Sequence, residues 1–97
     1  MSSYFSKEEF ELKGFEKAKA KHKMYNSVLV NKKTKREKRI PFGDNRYENF
    51  RDITGLDLYP QLIHGDMKRR KAYHARHKKD IKNGYYSAGY FSMKYLW

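Results

Sequence analysis

Apolar residues alternate with polar ones most clearly in the first half of the chain. Met24–Val30 (MYNSVLV) is the most strand-like segment, and a second such segment runs from Arg36 to Phe42. The polar stretch between them, Asn31–Lys35, is typical of a turn, so the pair predicts a β-hairpin with a cationic tip. Because an isolated hairpin is only marginally stable in water, we expect it to pack against helices.

The second half of the chain predicts two helices, each with a capping residue. Asp66 precedes a very basic segment from Met67 to about Lys79, and its carboxylate can accept the free N–H groups of the first turn. Ser87 is placed to cap a second helix, which is rich in aromatic residues and runs to Trp97. The sequence therefore predicts a basic helix followed by an aromatic C-terminal helix.

Three other segments give weaker predictions. Asp44-Asn45 predicts a cap for a helix reaching Ile53 and ended by Gly55, with Tyr47, Phe50 and Thr54 on one face. The Ser6 to Glu9 spacing fits a capping box, which predicts one or two helical turns at the start of the chain. The stretch Lys17–Lys23 alternates lysine with alanine or histidine, and helix and strand both remain open for it.

Together these elements predict a small α+β single domain, a basic β-hairpin packed on two or three short helices with an aromatic C-terminal helix. We expect residues 1–16 to form an N-terminal arm and residues 17–97 to form the basic domain. Aromatic residues make up 16% of the 97 residues, and they must supply most of the core because aliphatic residues are scarce. The absence of cysteine excludes disulfides and cysteine-based zinc sites, and no apolar run approaches the roughly 20 residues of a membrane span.

The net charge of +12 indicates a polyanionic partner or an acidic protein surface. The charge is concentrated, because residues 17–39 hold ten Lys/Arg against one acid and residues 68–82 hold eight against one. Such patterning predicts a binding face rather than a uniformly solubilising coat. The residues we expect to contact the partner, a protein surface or the DNA or RNA backbone, are Lys32, Lys33, Lys35, Arg36, Arg69, Arg70, Tyr73, Arg76, Lys78 and Lys79.

Catalytic chemistry has little support in the sequence. His74 and His77, with His64 and Asp66 before them, have a spacing that could hold a metal, but the surrounding lysines and arginines would repel a dication. No serine lies in a recognisable nucleophile elbow, and no glycine-rich phosphate loop exists. We therefore expect a binding protein that is not an enzyme and carries no metal or cofactor.

Three motifs resemble a family of small basic proteins encoded by large double-stranded DNA viruses, both giant viruses of the mimivirus and chlorella-virus kind and some tailed phages. They are FGDNRYENFRDITGLDLY (Phe42–Tyr59), HGDMKRRKAYHARH (His64–His77) and YSAGYFSMKYLW (Tyr86–Trp97). The resemblance spans roughly residues 17–97, and the N-terminal arm lies largely outside it. No catalytic residues are carried over from this family.

The resemblance implies a viral context, with a role in the virion or at the genome. The expected function is that of a minor capsid-associated structural protein, which fastens larger capsid subunits together or ties them to the genome within a large assembly. The expected location is the virion, and the host cytoplasm or nucleus during assembly. The alternative is sequence-independent nucleic-acid binding in genome packaging, transcription or a ribonucleoprotein.

Overall fold

A computed structural model describes residues 4–97, and it confirms the α+β class. The strands are β1 (Phe5–Ser6), β2 (Phe10–Lys17), β3 (Lys23–Asn31), β4 (Glu37–Asp44) and β5 (Tyr85–Tyr86), and the α-helices are α1 (Met67–His77) and α2 (Ala88–Phe91). Short 3₁₀ turns lie at Pro60–Leu62 and Lys78–Asp80, and a π-helical turn at Ser92–Leu96 continues α2. One sheet has the order β2-β3-β4, and β1 pairs with β5 in a second, two-stranded sheet.

The predicted hairpin is confirmed as β3 and β4, which pair antiparallel from Lys23–Asp44 to Val30–Glu37. The turn between them is built by Asn31, whose side-chain oxygen accepts the N–H groups of Lys33 and Thr34 at 2.9 and 3.0 Å. Lys35 closes the turn with φ of 65° and donates its N–H to the backbone oxygen of Asn31. A side chain that satisfies two backbone groups in this way fixes the shape of the tip.

The predicted N-terminal helical turns are wrong, because residues 10–17 form strand β2 on the edge of the main sheet. A β-bulge between Leu12 and Gly14 adds one residue, so Phe10, Leu12 and Phe15 all pack against the core despite their uneven spacing. The Ser6 hydroxyl accepts the N–H of Glu8, which shapes a turn between β1 and β2. Residues 10–16 of the predicted arm are thus all strand, and residues 1–3 lie outside the described part of the chain.

The lysine-rich stretch left open between helix and strand forms the end of β2, a turn and the start of β3. Ala18 is buried and donates its N–H to the oxygen of Met24, and His22 adopts φ of 67° within the turn. The lysines at positions 17, 19, 21 and 23 are exposed around this connection.

The helix predicted from Asp44 to Ile53 is also wrong. The Asp44 carboxylate binds both the N–H and the guanidinium of Arg46, which favours a tight turn over helix propagation. Beyond the turn, Asn49 forms a parallel bridge with Ile63 and exchanges backbone hydrogen bonds with Leu62 and His64 at 2.7 and 2.9 Å. Residues 45–66 therefore form an irregular segment that is fixed to the fold by specific hydrogen bonds.

Tyr25 holds this irregular segment against the sheet. It is fully buried in β3, and its hydroxyl donates to Asp52 Oδ2 at 2.5 Å. The Tyr25 hydroxyl oxygen also accepts the N–H of Leu58 at 3.1 Å. Burial, together with the neighbouring carboxylate, raises the pKa of Tyr25, so the hydroxyl stays protonated as a donor. Asp52 in turn accepts two hydrogen bonds from Thr54.

The core lies between the main sheet and the C-terminal helical segment, as the aromatic composition predicts. Its edge-to-face aromatic contacts include Phe15 with Tyr95 at 4.7 Å between ring centroids, and Phe42 lies 5.6 Å from Phe91. The largest fully buried side chains among residues 4–97 are Met24, Tyr25, Ser27, Leu29, Phe42, Phe91 and Leu96.

Gly43 marks the closest approach of β4 to this core. Its φ is +75°, and a Cβ atom there would lie 2.9 Å from Leu96 Cδ1 and 3.0 Å from Met24 Sδ. We expect Gly43→Ala to lower the free energy of unfolding by about 2 kcal/mol, through overpacking and backbone strain. Chemical denaturation measures the change, with Gly14→Ala as the control because nothing lies within 4 Å of a Cβ there. Equal stability of the two variants would contradict this role of Gly43.

Candidate anion-binding cleft

Helix α1 begins as the sequence predicts. Asp66 accepts the N–H groups of Lys68 and Arg69, and His74, Arg76 and His77 lie in the last turn, where cations favour the helix dipole. The second predicted cap is also confirmed, because the Ser87 hydroxyl accepts the N–H of Tyr90. No residue of α1 is buried, so the helix presents most of its charge to solvent.

One stripe of α1 attaches the helix to the rest of the fold. Arg70 Nε donates to the backbone oxygen of Trp97 at 2.6 Å, and its guanidinium lies 5.1 Å from the ring centroid of Phe50. Tyr73 stacks in parallel on the Trp97 ring, with 4.2 Å between the ring centroids. His77 lies on the same stripe, and its ring centroid is 4.3 Å from that of Tyr73. Of these two predicted binding residues, Arg70 makes its main contacts within the protein, whereas Tyr73 stacks on Trp97 and also lines the cleft described next.

The neighbouring stripe of α1 lines an open cleft of about 750 Å³. Arg69, Ala72 and Arg76 line it together with Tyr73 and His77 of the attached stripe. The rest of the lining comes from the start of β3, the end of β4, the turn that follows it and the C-terminal helical segment. We call the cations that this cleft collects, Lys23, Arg46, Arg69 and Arg76, the cleft cations.

Both carboxylates in the cleft are already paired. Asp44 receives two guanidinium hydrogen bonds from Arg46, at 3.0 and 2.7 Å, and these lower its pKa to about 2. Glu48 accepts from Arg69 at 3.0 Å. Lys23 and Arg76 form no ion pair within residues 4–97, so the cleft can accept anionic groups from outside.

Tyr47 lies in the cleft and is 64% exposed, the most exposed large hydrophobic side chain of the described residues. The Arg46 guanidinium lies 5.6 Å from its ring centroid, within cation–π distance. Lys23, Arg46 and Tyr47 are not among the binding residues that the sequence predicts, and the predicted helix groups Tyr47 with Phe50 and Thr54 on one face instead. The Gly43-Asp44-Asn45 sequence is itself typical of a turn and could have indicated the correct structure.

The predicted hairpin cations form a second, separate surface. Lys33, Lys35 and Arg36 are exposed and unpaired within the described chain, whereas Lys32 Nζ donates to the backbone oxygen of Lys7 at 3.2 Å. We call these four residues the tip cations. Asn31 lies eight residue steps along β3 from Lys23, and at about 3.3 Å per step the tip lies roughly 25 Å from the cleft. The structure therefore does not bring the predicted residues together in one site.

The remaining predicted residues, Lys78 and Lys79, are exposed in the 3₁₀ turn after α1 and do not line the cleft. The solvent-facing side of the main sheet is instead locally neutralised. There Arg39 bridges Glu16 and Glu37 at 2.9 and 3.2 Å, and Lys13 also pairs with Glu37. Of the 23 Lys/Arg side chains, four form ion pairs in the described residues, namely Lys13, Arg39, Arg46 and Arg69.

Metal binding and membrane insertion find no support in the described residues. In the range 4–97 no three His, Asp or Glu side chains converge in a group that could hold a metal ion. In the same range, every helix is too short or too polar to cross a bilayer.

No protein-family model, curated protein or solved structure matches this chain. Membership of the viral family therefore stays a prediction from the sequence motifs. The cleft and the tip are the two surfaces whose geometry bears on function.

The attachment of α1 gives a first prediction about the site. We expect Arg70→Ala to lower the free energy of unfolding by about 2 kcal/mol, because a charge-assisted hydrogen bond to Trp97 is lost. Hydrogen exchange should speed up at the amides of α1 and remain slow in β3. Lys71→Ala, at an exposed position on the same helix, is the control and should change stability by less than about 0.5 kcal/mol. Faster exchange in β3 as well would show that Arg70 supports the whole domain.

A second prediction concerns the histidine beside the start of α1. His64 Nδ1 accepts the N–H of Asp66 at 2.8 Å, and its ring packs 5.1 Å from that of Trp97. Burial first, and then the charge of Arg69, lower the pKa of His64 below its ordinary value of 6.5, against the smaller opposing effects of Glu48 and Asp66. Neutral His64 therefore stabilises the fold above about pH 6.5, and this stability is lost as the pH falls through the lowered pKa.

We expect the melting temperature to fall from neutral pH to about pH 5 for this reason. His64→Asn keeps a side-chain oxygen that can accept the Asp66 N–H but cannot titrate, so its melting temperature should fall less over the same range. Thermal unfolding followed by circular dichroism measures the melting temperatures of the wild type and of His64→Asn. An identical pH dependence in the variant and the wild type would assign the effect to other groups.

Proposed function

We propose that the protein is a structural component of a virus particle, a minor capsid-associated protein that fastens larger capsid subunits to one another or to the genome. The observation that carries the proposal is the separation of the cleft cations and the tip cations at the two ends of one sheet. A protein with one cationic face can coat an anionic surface, whereas a protein with two can bridge two such surfaces. The viral setting comes from the sequence resemblance.

The sheet between the two cationic surfaces is suited to such a bridge. Residues 24–29 of β3 are buried without interruption, and the strand pairs with a neighbour on both sides. The irregular segment behind it is tied to Tyr25. The two surfaces are therefore held at a fixed spacing, which a fastener between larger subunits requires.

Sequence-independent nucleic-acid binding is the second candidate function, and the cleft is the feature that favours it. Arginines beside an exposed tyrosine are a common arrangement in proteins that bind single strands, because cations bind phosphates while the ring stacks on a base. In either case the activity we propose is binding without catalysis.

Bridging can be tested with two kinds of beads, one coated with carboxylates and one with duplex DNA. We expect the wild-type protein to cross-link beads of the same or different kinds, measured as turbidity or mixed aggregates. Charge reversal at the tip (Lys33→Glu with Lys35→Glu) or in the cleft (Lys23→Glu with Arg76→Glu) should leave binding through the other end but abolish cross-linking. The control with the same change in net charge is Lys71→Glu with Lys82→Glu, because neither residue belongs to the two cationic surfaces.

The salt dependence of DNA binding distinguishes the contributions of the two ends. The logarithm of the affinity should fall linearly with the logarithm of the salt concentration, by about 0.9 per phosphate contacted, and each charge-reversed variant should have a shallower slope than the wild type.

Cross-linking that survives charge reversal at either end would contradict the proposal that the protein binds through two ends. Absence of the protein from purified particles of a virus that encodes it, shown by mass spectrometry, would remove the structural role.

A further inference from the structure

Tyr47 is an exposed aromatic ring in a fold whose core is made largely of aromatic rings. Phe15, Phe42 and Phe91 pack together, and Tyr73 is covered by Trp97. Within the described chain Tyr47 makes no such aromatic contact, and it lies at the cleft with Arg46 as its charged neighbour. An exposed aromatic ring among cations is the combination that proteins use to bind bases and phosphates together.

The backbone beneath this ring is fixed by the hydrogen bonds on both sides of it. The Asp44 carboxylate accepts the N–H of Arg46 at 2.9 Å, and the Asp44 backbone oxygen accepts the N–H of Tyr47 at 3.2 Å. Two residues later, the bridge of Asn49 to Ile63 attaches the chain again. The backbone from which the ring projects is thus set before any ligand binds, which reduces the entropy cost of binding.

The groups around the ring match the parts of a nucleotide. Lys23 and Arg76 carry no ion pair in the described chain, and Arg46 and Arg69 keep further N–H donors beyond those that bind Asp44 and Glu48. These groups can bind phosphate oxygens while Tyr47 offers a flat surface to a base. The cleft volume of about 750 Å³ also has room for more than a phosphate alone.

Other anionic partners use only part of this arrangement. An acidic peptide would satisfy the cations, but it would have no planar group for Tyr47 unless it also carried an aromatic residue. A duplex would satisfy the cations too, yet its bases are stacked on one another and closed to the ring. Of these three partners, a nucleic acid with unpaired bases is the one whose every repeating unit carries both a phosphate for the cations and a planar group for the exposed ring.

We propose that the cleft binds nucleic acid with unpaired bases, with Tyr47 stacked on one base and Lys23 and Arg76 bound to the flanking phosphates. This inference rests on the proposed binding role of the cleft end of the molecule. It names nucleic acid as the partner at that end and leaves the tip cations for the second anionic surface.

The test compares a thymidine 12-mer with an abasic 12-mer of the same phosphate number, using fluorescence anisotropy. The wild-type protein should bind the thymidine strand about tenfold or more tightly than the abasic strand, since base stacking on an aromatic ring is worth about 1–3 kcal/mol. Tyr47→Ala should remove this difference and leave the affinity for the abasic strand and the salt slope unchanged. Tyr47→Phe keeps the ring and should keep the preference.

Tyr4→Ala is the matched control, because Tyr4 is also exposed but does not line the cleft. An unchanged melting temperature of Tyr47→Ala would show that the lost preference for the thymidine strand does not come from a less stable fold. Equal binding of the two strands by the wild type, or a preference that persists in Tyr47→Ala, would overturn the inference. Tighter binding of polyglutamate than of the thymidine strand at equal salt would overturn it too and assign the cleft to an acidic protein.

The bead assay keeps this inference separate from the proposed function. Tyr47→Ala should still cross-link carboxylate-coated beads, because those contacts need only the cations. Loss of base preference with cross-linking intact is the expected result. Intact cross-linking with no base preference in the wild type would remove the inference and leave the fastener proposal standing.

Discussion

The contact between Arg70, Tyr73 and Trp97 is the interaction on which the arrangement of the cationic surface depends. Helix α1 has no buried residue and its many positive charges repel one another, so it lacks the buried apolar face that usually holds a helix to its domain. One charge-assisted hydrogen bond and one stacked ring pair replace that face. With the helix anchored on this stripe, the adjacent stripe of Arg69 and Arg76 must face the end of β4, and this placement creates the cleft.

The placement of acidic residues determines which cations remain available. Glu16 and Glu37 neutralise Arg39 and Lys13 on the outer side of the sheet, while Asp44 and Glu48 hold Arg46 and Arg69 in defined orientations within the cleft. In the cleft the carboxylates act as positioning groups, because each uses part of a guanidinium and leaves the rest to a ligand. The tip has no acid of this kind, apart from Glu37 at the base of the hairpin, so its lysines act as simple charges.

The sequence predicts the parts of this fold that depend on neighbouring residues, namely the helix caps and the hairpin turn. Asp66 and Ser87 cap the helices as expected, and the polar turn after Val30 closes the hairpin. Strand β2 was missed because the bulge at Leu12/Gly14 breaks the alternation that identifies a strand. The segment after Asp44 was missed because the same aspartate can cap a helix or fold a turn, and only its pairing with Arg46 and the bridge from Asn49 select the turn. The cleft joins residues far apart in sequence, so charge clustering along the chain could indicate a binding face but not its position.

The position of Trp97 in the sequence has a consequence for how the site forms during folding. Strands β3 and β4 are joined by a short turn and can pair early, since closing a short loop costs little entropy. Helix α1 can dock only after the aromatic segment that follows it has packed, because Trp97 lies 27 positions beyond Arg70. The cleft is therefore complete only when the C-terminal segment is packed in place. A local opening of the C-terminal turn would abolish it while the sheet stayed intact, so occupancy of the cleft reports whether the whole domain is folded.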